Sequence, residues 1–346
     1  MNFIVSIIIC TRNRAASLAR TLGSFHAVVV PPDLPTELIV VDNGSIDETA
    51  NVCGRSRLDN ITLKYICERR AGLSFARNAG IRAATGEVIL FTDDDVRPPH
   101  DWVERMCRPI LSGGAGAVAG AVALASDVDR PWMDGYSKAL LAWTDPERLK
   151  QPSEMVGANM AFSRKVLDSV PYFDIELGAG AVGFGDDSVF SWCIVQKGYR
   201  LVGAPDAAVT HHPDSNRLLR LPFLQMVEKS GRTIGYLNYH REHRNIKGAY
   251  LRLAKNCLLL QVLRCLKRPG RIAEGAAKWE RDLVLKIGLI RQTIIERGRP
   301  RRYFFGGCLR SKFTDEIHRM FAAPNEVVGN SDRVHSTRGH LATGSP

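Results

Sequence analysis

Three times within the first hundred residues, a short apolar run rich in β-branched residues gives way to a polar turn and then to a helical pattern. Residues 5–10 read as a buried strand from the very start of the chain, and Leu18, Leu22 and Phe25 then recur at helical spacing. A second strand is expected over 37–41. Ser45 and Glu48 have capping-box spacing, which opens a helix from Ile46. A third strand at 61–66, a helix over 74–84 and a fourth strand at 88–91 complete the pattern. Strand–helix alternation of this kind predicts an α/β fold with a doubly wound, mostly parallel sheet flanked by helices.

The fourth strand ends in Asp93, Asp94 and Asp95. Ligands of open α/β sheets sit beyond the carboxyl ends of the strands, so a charge cluster there is placed where function is expected. Residues two apart in an extended chain share a side; Asp93 and Asp95 are therefore expected to face one pocket and Asp94 to point away. Two hard oxygen ligands suit Mg²⁺ or Mn²⁺ holding a phosphate, while a solvated acidic turn is the plain alternative. Residues 11–14 and 42–47 offer further polar groups to the same edge.

Taken together, these segments resemble the nucleotide-sugar-binding half of the family 2 glycosyltransferases, which have the GT-A fold. The matching pieces are Ser6-Ile-Ile-Ile-Cys-Thr-Arg-Asn-Arg14, Val41-Asp-Asn-Gly-Ser-Ile-Asp47, Gly72-Leu-Ser-Phe-Ala-Arg-Asn-Ala-Gly80 and the Gly86-Glu87 to Asp95 strand. The resemblance implies donor contacts from Thr11, Arg12, Arg14, Asp42, Asn43, Asp47, Arg77, Asp93 and Asp94. Among these, Thr11 and Arg12 would line the base, Asp42 would bond base or ribose, Arg77 would reach base or diphosphate, and Asp93 would contact the ribose. Asp95 would ligate a divalent metal, Mn²⁺ or Mg²⁺. A diphosphate cannot approach three carboxylates unless a cation neutralises the encounter, and that agrees with the assignment.

The likeness continues to about His212. Gly157-Ala-Asn-Met-Ala-Phe162 resembles the family's acceptor-side strand, with Asn159 an acceptor contact. Phe184-Gly-Asp-Asp-Ser-Val-Phe-Ser-Trp192 resembles its acid pair before a helix. Asp187 is the implied catalytic base, and Asp186, shorter than the family's usual Glu, is an implied acceptor contact with Trp192. An inverting transfer needs one carboxylate to accept the acceptor hydroxyl's proton, although a plain helix N-cap fits the same residue type. His211 stands where the family often carries a metal or diphosphate ligand, with His212 as the alternative. Gly178-Ala-Gly-Ala-Val-Gly183 spells a dinucleotide fingerprint, but it neither follows a strand nor opens a helix of that kind. Gly178 to Gly185 reads instead as a mobile substrate loop that lets the acceptor approach Asp187.

Net charge is +11 over 346 residues, and it is concentrated. Residues 241–312 carry 19 Lys and Arg against 5 Asp and Glu, so the remainder is slightly acidic. Three units are expected: a GT-A domain over 1–215 (donor half 1–95, acceptor half 96–215), a basic helical region over 216–312, and a flexible tail over 313–346. Basic, Leu-rich helices suit an anionic membrane surface or, equally, a bundle with solvated basic faces. Nothing upstream supports nucleic acid as a partner. The eight cysteines are scattered without a Cys-x-x-Cys pair, as packed thiols of a reducing compartment would be. No apolar stretch approaches twenty residues, so a cytoplasmic protein, peripheral at the inner face of the membrane, is expected. The partners that follow are a nucleotide-sugar donor and a glycan or polyprenyl-linked acceptor in polysaccharide or glycolipid biosynthesis. A sugar nucleotidyltransferase is the nearest alternative, though residues 11–14 lack its glycines; a non-catalytic module binding anionic surfaces is the other.

Overall fold

The opening apolar runs become the centre of an eight-stranded sheet. The computed structural model describes residues 3–321. β1 (Val5–Thr11) and β2 (Thr36–Asp42) pair in parallel, β3 (Ile61–Cys67) extends that edge, and β4 (Val88–Asp93) lies in parallel on the other side of β1. Helices α1 (Ala15–Ser24), α2 (Thr49–Arg55) and α3 (Leu73–Ala83) make the crossovers. Val5, Ile7 and Ile9 pack on one face with Leu18, Leu22 and Trp102. Ile8, Ile39, Val41 and Phe91 pack on the other with Ala76, Ala79 and Phe190. This period-2 division is why such runs are apolar at every position: both faces of each strand are covered.

The second half adds β5 (Val96–Arg97), α4 (Trp102–Leu111), β6 (Ala117–Leu124), α5 (Gly135–Ala139), α6 (Pro146–Leu149), β7 (Asn159–Ser163), α7 (Asp186–Gln196) and β8 (Leu201–His211). The strand order is β3-β2-β1-β4-β7-β6-β8-β5. β7 runs antiparallel between β4 and β6, while β6 and β8 are parallel, so parallel pairings remain the majority. β8 is one long strand, whose pairing with β6 is broken by a register shift between Gly120 and Val122.

Two local expectations give way. The capping box does not form, because Ser45 Oγ accepts from the Asn13 backbone N–H at 2.9 Å and Glu48 accepts from Asn51 at 2.5 Å. Asp47 instead holds the backbone N–H of Thr49, and the helix starts there rather than at Ile46. The 178–185 loop is also pinned rather than free. Leu73 N–H donates to the Ala179 carbonyl at 2.8 Å, and Phe184 N–H donates to Thr233 Oγ1 at 2.9 Å.

Three long helices follow: α8 (Arg220–His240), α9 (Ala249–Lys267) and α10 (Lys278–Glu296). α8 and α10 touch through their backbones. A Cβ on Gly231 would fall 2.2 Å from the Leu285 carbonyl oxygen, and one on Gly288 would fall 2.4 Å from that of Glu228. The expected tail begins inside α11 (Ser311–Met320), where Ile317 and then Phe321 are buried; its remainder, 322–346, lies outside the described residues. Residues 301–310, which lead into α11, return to the sheet half, where Arg302 donates to buried Asp174 at 2.8 Å. Cys193 on α7 and Cys308 are paired as a disulfide with Cα atoms 5.5 Å apart, against the expectation of thiols throughout. The pairing joins residues 115 apart in sequence, which their scattered spacing could not disclose. The other six cysteines are free. Among the described residues no helix is long and apolar enough to cross a membrane.

Candidate active site

The strand order reverses between β1 and β4: β2 and β3 follow on one side of β1, and β4 lies on the other. A crevice opens beyond the strand ends at such a point. Register brings Cys10 opposite Asp93 and Thr11 opposite Asp42, so three of the polar strand ends share that edge.

β4 stops at Asp93, and the chain turns through Asp94 and Asp95. The alternation expected of an extended chain therefore lapses, and Asp94 does not point away. Its carboxylate accepts from Thr11 Oγ1 at 2.6 Å and from Arg14 at 2.5 Å, while the other arm of Arg14 reaches Asp95 Oδ2 at 2.6 Å. Burial pushes Asp94 up to about 7, with Arg14 offsetting part of that effect. Burial and then Asp95 push Asp93 up as well. The triplet thus carries less than its formal charge at neutral pH.

The short β5 pairs antiparallel with the end of β8, setting Val96 opposite His211. That pairing lays the His211 ring against Asp95, across more than a hundred residues of sequence. His211 Nδ1 lies 2.7 Å from the Leu141 carbonyl oxygen. A carbonyl can only accept, so Nδ1 carries the proton and Nε2 faces Asp95 Oδ1 at 3.1 Å. Oδ1 is buried and has no partner in hydrogen-bond geometry. Burial favours neutral forms at both groups, but the mutual attraction outweighs it. Asp95 is held well below the usual carboxylate range by His211 and Arg14, and His211 is raised by Asp95 and Asp93. Among the described residues no cluster of three or more His, Cys, Asp or Glu side chains is arranged to hold an ion unaided.

The acid pair opens α7. β7 starts opposite Thr92, which puts Gly157 at the Asp93 end of the edge, and Gly157 N–H donates to Asp187 Oδ2 at 2.9 Å. Asp187 Oδ1 accepts from Ser188 N–H at 2.8 Å. Burial, followed by repulsion from Asp186, pushes Asp187 up to about 6. Arg77 is buried and donates to Asp186 Oδ2 at 2.5 Å, and its charge also acts on Asp187 and Asp93. It crosses so close over Gly157 that a Cβ there would lie 1.8 Å from Nη2. Arg77 therefore anchors the acid pair from beneath instead of standing free for a base or diphosphate, and Asp186 is its counterion.

The remaining expected residues divide. Arg12 is exposed at the β1 end. Asp42 accepts from Ser45 N–H at 2.7 Å and from Tyr65 OH at 2.7 Å, so both its oxygens are in use. Asn43 ties Glu68, Arg70 and Gly72 together through both ends of its amide. Asp47 braces the start of α1 through Ala15 N–H at 2.9 Å. Asn159 cannot meet an acceptor as expected: it is fully buried, with its amide spent on Ala121, Ala207 and Trp102. Trp192, five residues past Asp187 and hence well round the helix from it, is half-buried under Arg241 at 4.7 Å. Sequence reasoning missed Leu141, Gly157 and Tyr65. The first two act through backbone atoms, which leave no signature in residue type.

Comparison with known proteins agrees with this architecture. The family model described as Glycosyl transferase family 2 matches residues 6–170. Glycosyltransferase AglE of Haloferax volcanii is 32% identical over 120 residues, 34% of this chain and 39% of AglE, so the chain spans under half the length of that relative. The succinoglycan biosynthesis protein ExoM of Rhizobium meliloti is 28% identical over 244 residues, covering 69% of this chain and 76% of ExoM. Mannosyltransferase PcManGT of Pyrobaculum calidifontis, solved in complex with GDP-Man and Mn²⁺, has a TM-score of 0.54 at 20% identity, over 84% of this chain and 86% of that one. That last likeness is one of fold, and the fold is GT-A. Residues 6–170, just under half of the chain, thus match the family 2 glycosyltransferases, and they carry the Asp93–Asp95 triplet of this site.

Proposed function

We propose that this protein transfers a sugar, with inversion, from a nucleotide-sugar donor to a hydroxyl of a glycan or polyprenyl-linked acceptor. The observation that carries the reading is the meeting of Asp93, the Asp95–His211 pair and Asp187 along one sheet edge. The base would lie by Thr11, Arg12 and Asp42, and the ribose by Asp93. Arg14 would offset the charge of the triplet as the diphosphate enters. Asn43 and Asp47 support this pocket by fixing its loops.

Asp95 and His211 fit a divalent cation. A 3.1 Å separation between a buried carboxylate oxygen and an imidazole nitrogen suits two neighbouring ligands with bonds of about 2.1 Å. With its proton on Nδ1, the His211 ring offers Nε2 as a donor atom to such a cation, beside the ionised Asp95. Mixed nitrogen and oxygen donors suit Mn²⁺ better than Mg²⁺. The bound cation would stabilise the leaving diphosphate as a Lewis acid.

Asp187 accepts the proton of the acceptor hydroxyl as that oxygen bonds to the anomeric carbon and the bond to the diphosphate breaks. Its carboxylate must be ionised for this. kcat/KM should therefore rise with pH through an apparent pKa near about 6, the value to which burial and Asp186 push Asp187. A profile flat from pH 5 to 8, or falling across about that range, contradicts the role. The protein would act from the cytoplasmic face of the membrane, in polysaccharide or glycolipid assembly, where such acceptors are displayed.

The test is a thermal-shift comparison of UDP and GDP with and without Mn²⁺, followed by hydrolysis of the matching nucleotide sugars. One nucleotide should raise Tm by about 5 °C, and only with the metal present. No shift from either nucleotide under any metal condition would reject the reading.

A further inference from the structure

Helix α9 is apolar on the side where a surface helix should be polar. It buries only Ala249 and Leu260. Leu251, Leu258, Val262 and Leu266 stand on the opposite side at 100° per residue, with Leu251 77% and Leu266 74% exposed. Lys255 lies among these leucines, and an apolar stripe on the outward side of a helix is normally covered, so it needs an occupant.

Charge identifies the occupant. Between His243 and Ala273 the chain carries eight Lys and Arg and no Asp or Glu. A second copy meeting this face about a two-fold axis would set that charge against itself. An anionic bilayer complements both the charge and the apolar stripe.

At the carboxyl end of α9 is a cavity of about 460 Å³ lined by Arg220, Arg264, Arg268 and Arg271, with exposed Leu221 at its wall. Buried Glu280 takes one bond from Arg220 at 2.5 Å and one from Arg264 at 2.7 Å. One carboxylate thus faces four guanidinium groups, so the cavity keeps an excess of positive charge. Arg268 and Arg271 are exposed and make no ion pair among the described residues, and Arg220 Nε is buried without a partner.

We propose that the protein docks on an anionic lipid bilayer through α9, with the leucine stripe entering the interface and the four-arginine cavity seating a headgroup phosphate. This deepens the membrane placement proposed above and needs neither donor nor metal. Sedimentation of the full chain with phosphatidylcholine vesicles, with and without phosphatidylglycerol, tests it. Wild type should bind the mixed vesicles and not phosphatidylcholine alone. A Leu251→Ser/Leu258→Ser/Leu266→Ser variant and an Arg268→Gln/Arg271→Gln variant should each bind about tenfold more weakly or worse. Both alter exposed positions and should keep the nucleotide-induced shift in Tm, which separates this proposal from the transferase reading. Wild type failing to sediment, or either variant binding as wild type does, overturns it. So does displacement by millimolar inorganic phosphate, which would make free phosphate the ligand. Loss of a wild-type dimer in the leucine variant without any vesicle binding would assign the stripe to a second copy.

Discussion

Asp187→Asn should slow sugar transfer by about 10³-fold, within the range by which a positioned general base accelerates proton transfer. The amide keeps the volume, and its oxygen can still accept from Gly157 N–H, which binds Asp187 Oδ2 at 2.9 Å, although the Ser188 N–H bond to Oδ1 is lost. The start of α7 should therefore hold its place. Donor binding should stay within about twofold, because the proton is taken from the acceptor and not from the nucleotide. Calorimetric titration with the preferred nucleotide and Mn²⁺, set beside steady-state transfer rates, separates the two effects. The pH dependence gives a second signature: the rise near about 6 should vanish with the carboxylate. Undiminished turnover would remove Asp187 from the role, and weakened nucleotide binding would show that its part is structural.

Asp95→Ala should abolish the dependence of nucleotide binding on Mn²⁺. Loss of even an outer partner of a metal ligand costs roughly 10–100-fold in metal affinity, so loss of the ligand itself should cost at least about as much. Asp95 also faces Arg14 at 2.6 Å and His211 at 3.1 Å, and removing it leaves Arg14 with Asp94 alone and buried His211 without the carboxylate it faces. A melting curve without ligand measures that destabilisation separately. The site claim concerns the difference between binding with metal and without it. Metal-dependent binding that survives the substitution would move the cation elsewhere.

The first ninety-five residues were legible because parallel strands covered on both faces must be apolar throughout, and little else produces such runs. Helix Trp102–Leu111 is legible for a similar reason: its apolar residues keep one face. What escaped was long-range pairing. The strand at 159–163 reads the same whether parallel or antiparallel, and only the fold sets it antiparallel beside β4. β8 reads as two runs because Pro205 and Asp206 interrupt it. Local chemistry misled where a side chain had better partners elsewhere: Ser45 and Glu48 have capping-box spacing but bond to Asn13 and Asn51.

The site divides along the same line. Asp93, Asp95, Asp187 and His211 were named from residue type and position. Their meeting depends on the pairing of Val96 with His211 and on the Gly157 N–H, and neither has a sequence signal. Asn159 shows the converse. Its position invites an acceptor role, but full burial and an amide bonded to three partners make it a clamp between β6, β8 and α4. Arg77 was expected at the donor and lies beneath the acid pair, because Gly157 leaves room for its guanidinium to cross.

The most direct test of the claim that these side chains converge on one cation and one diphosphate is anomalous diffraction from crystals grown with Mn²⁺ and the preferred nucleoside diphosphate. The account predicts a manganese peak within about 2.3 Å of both Asp95 Oδ1 and His211 Nε2, with the diphosphate against it and Asp187 facing the vacant sugar position. A peak away from that pair, or a nucleotide bound outside the β1–β4 crevice, would contradict it.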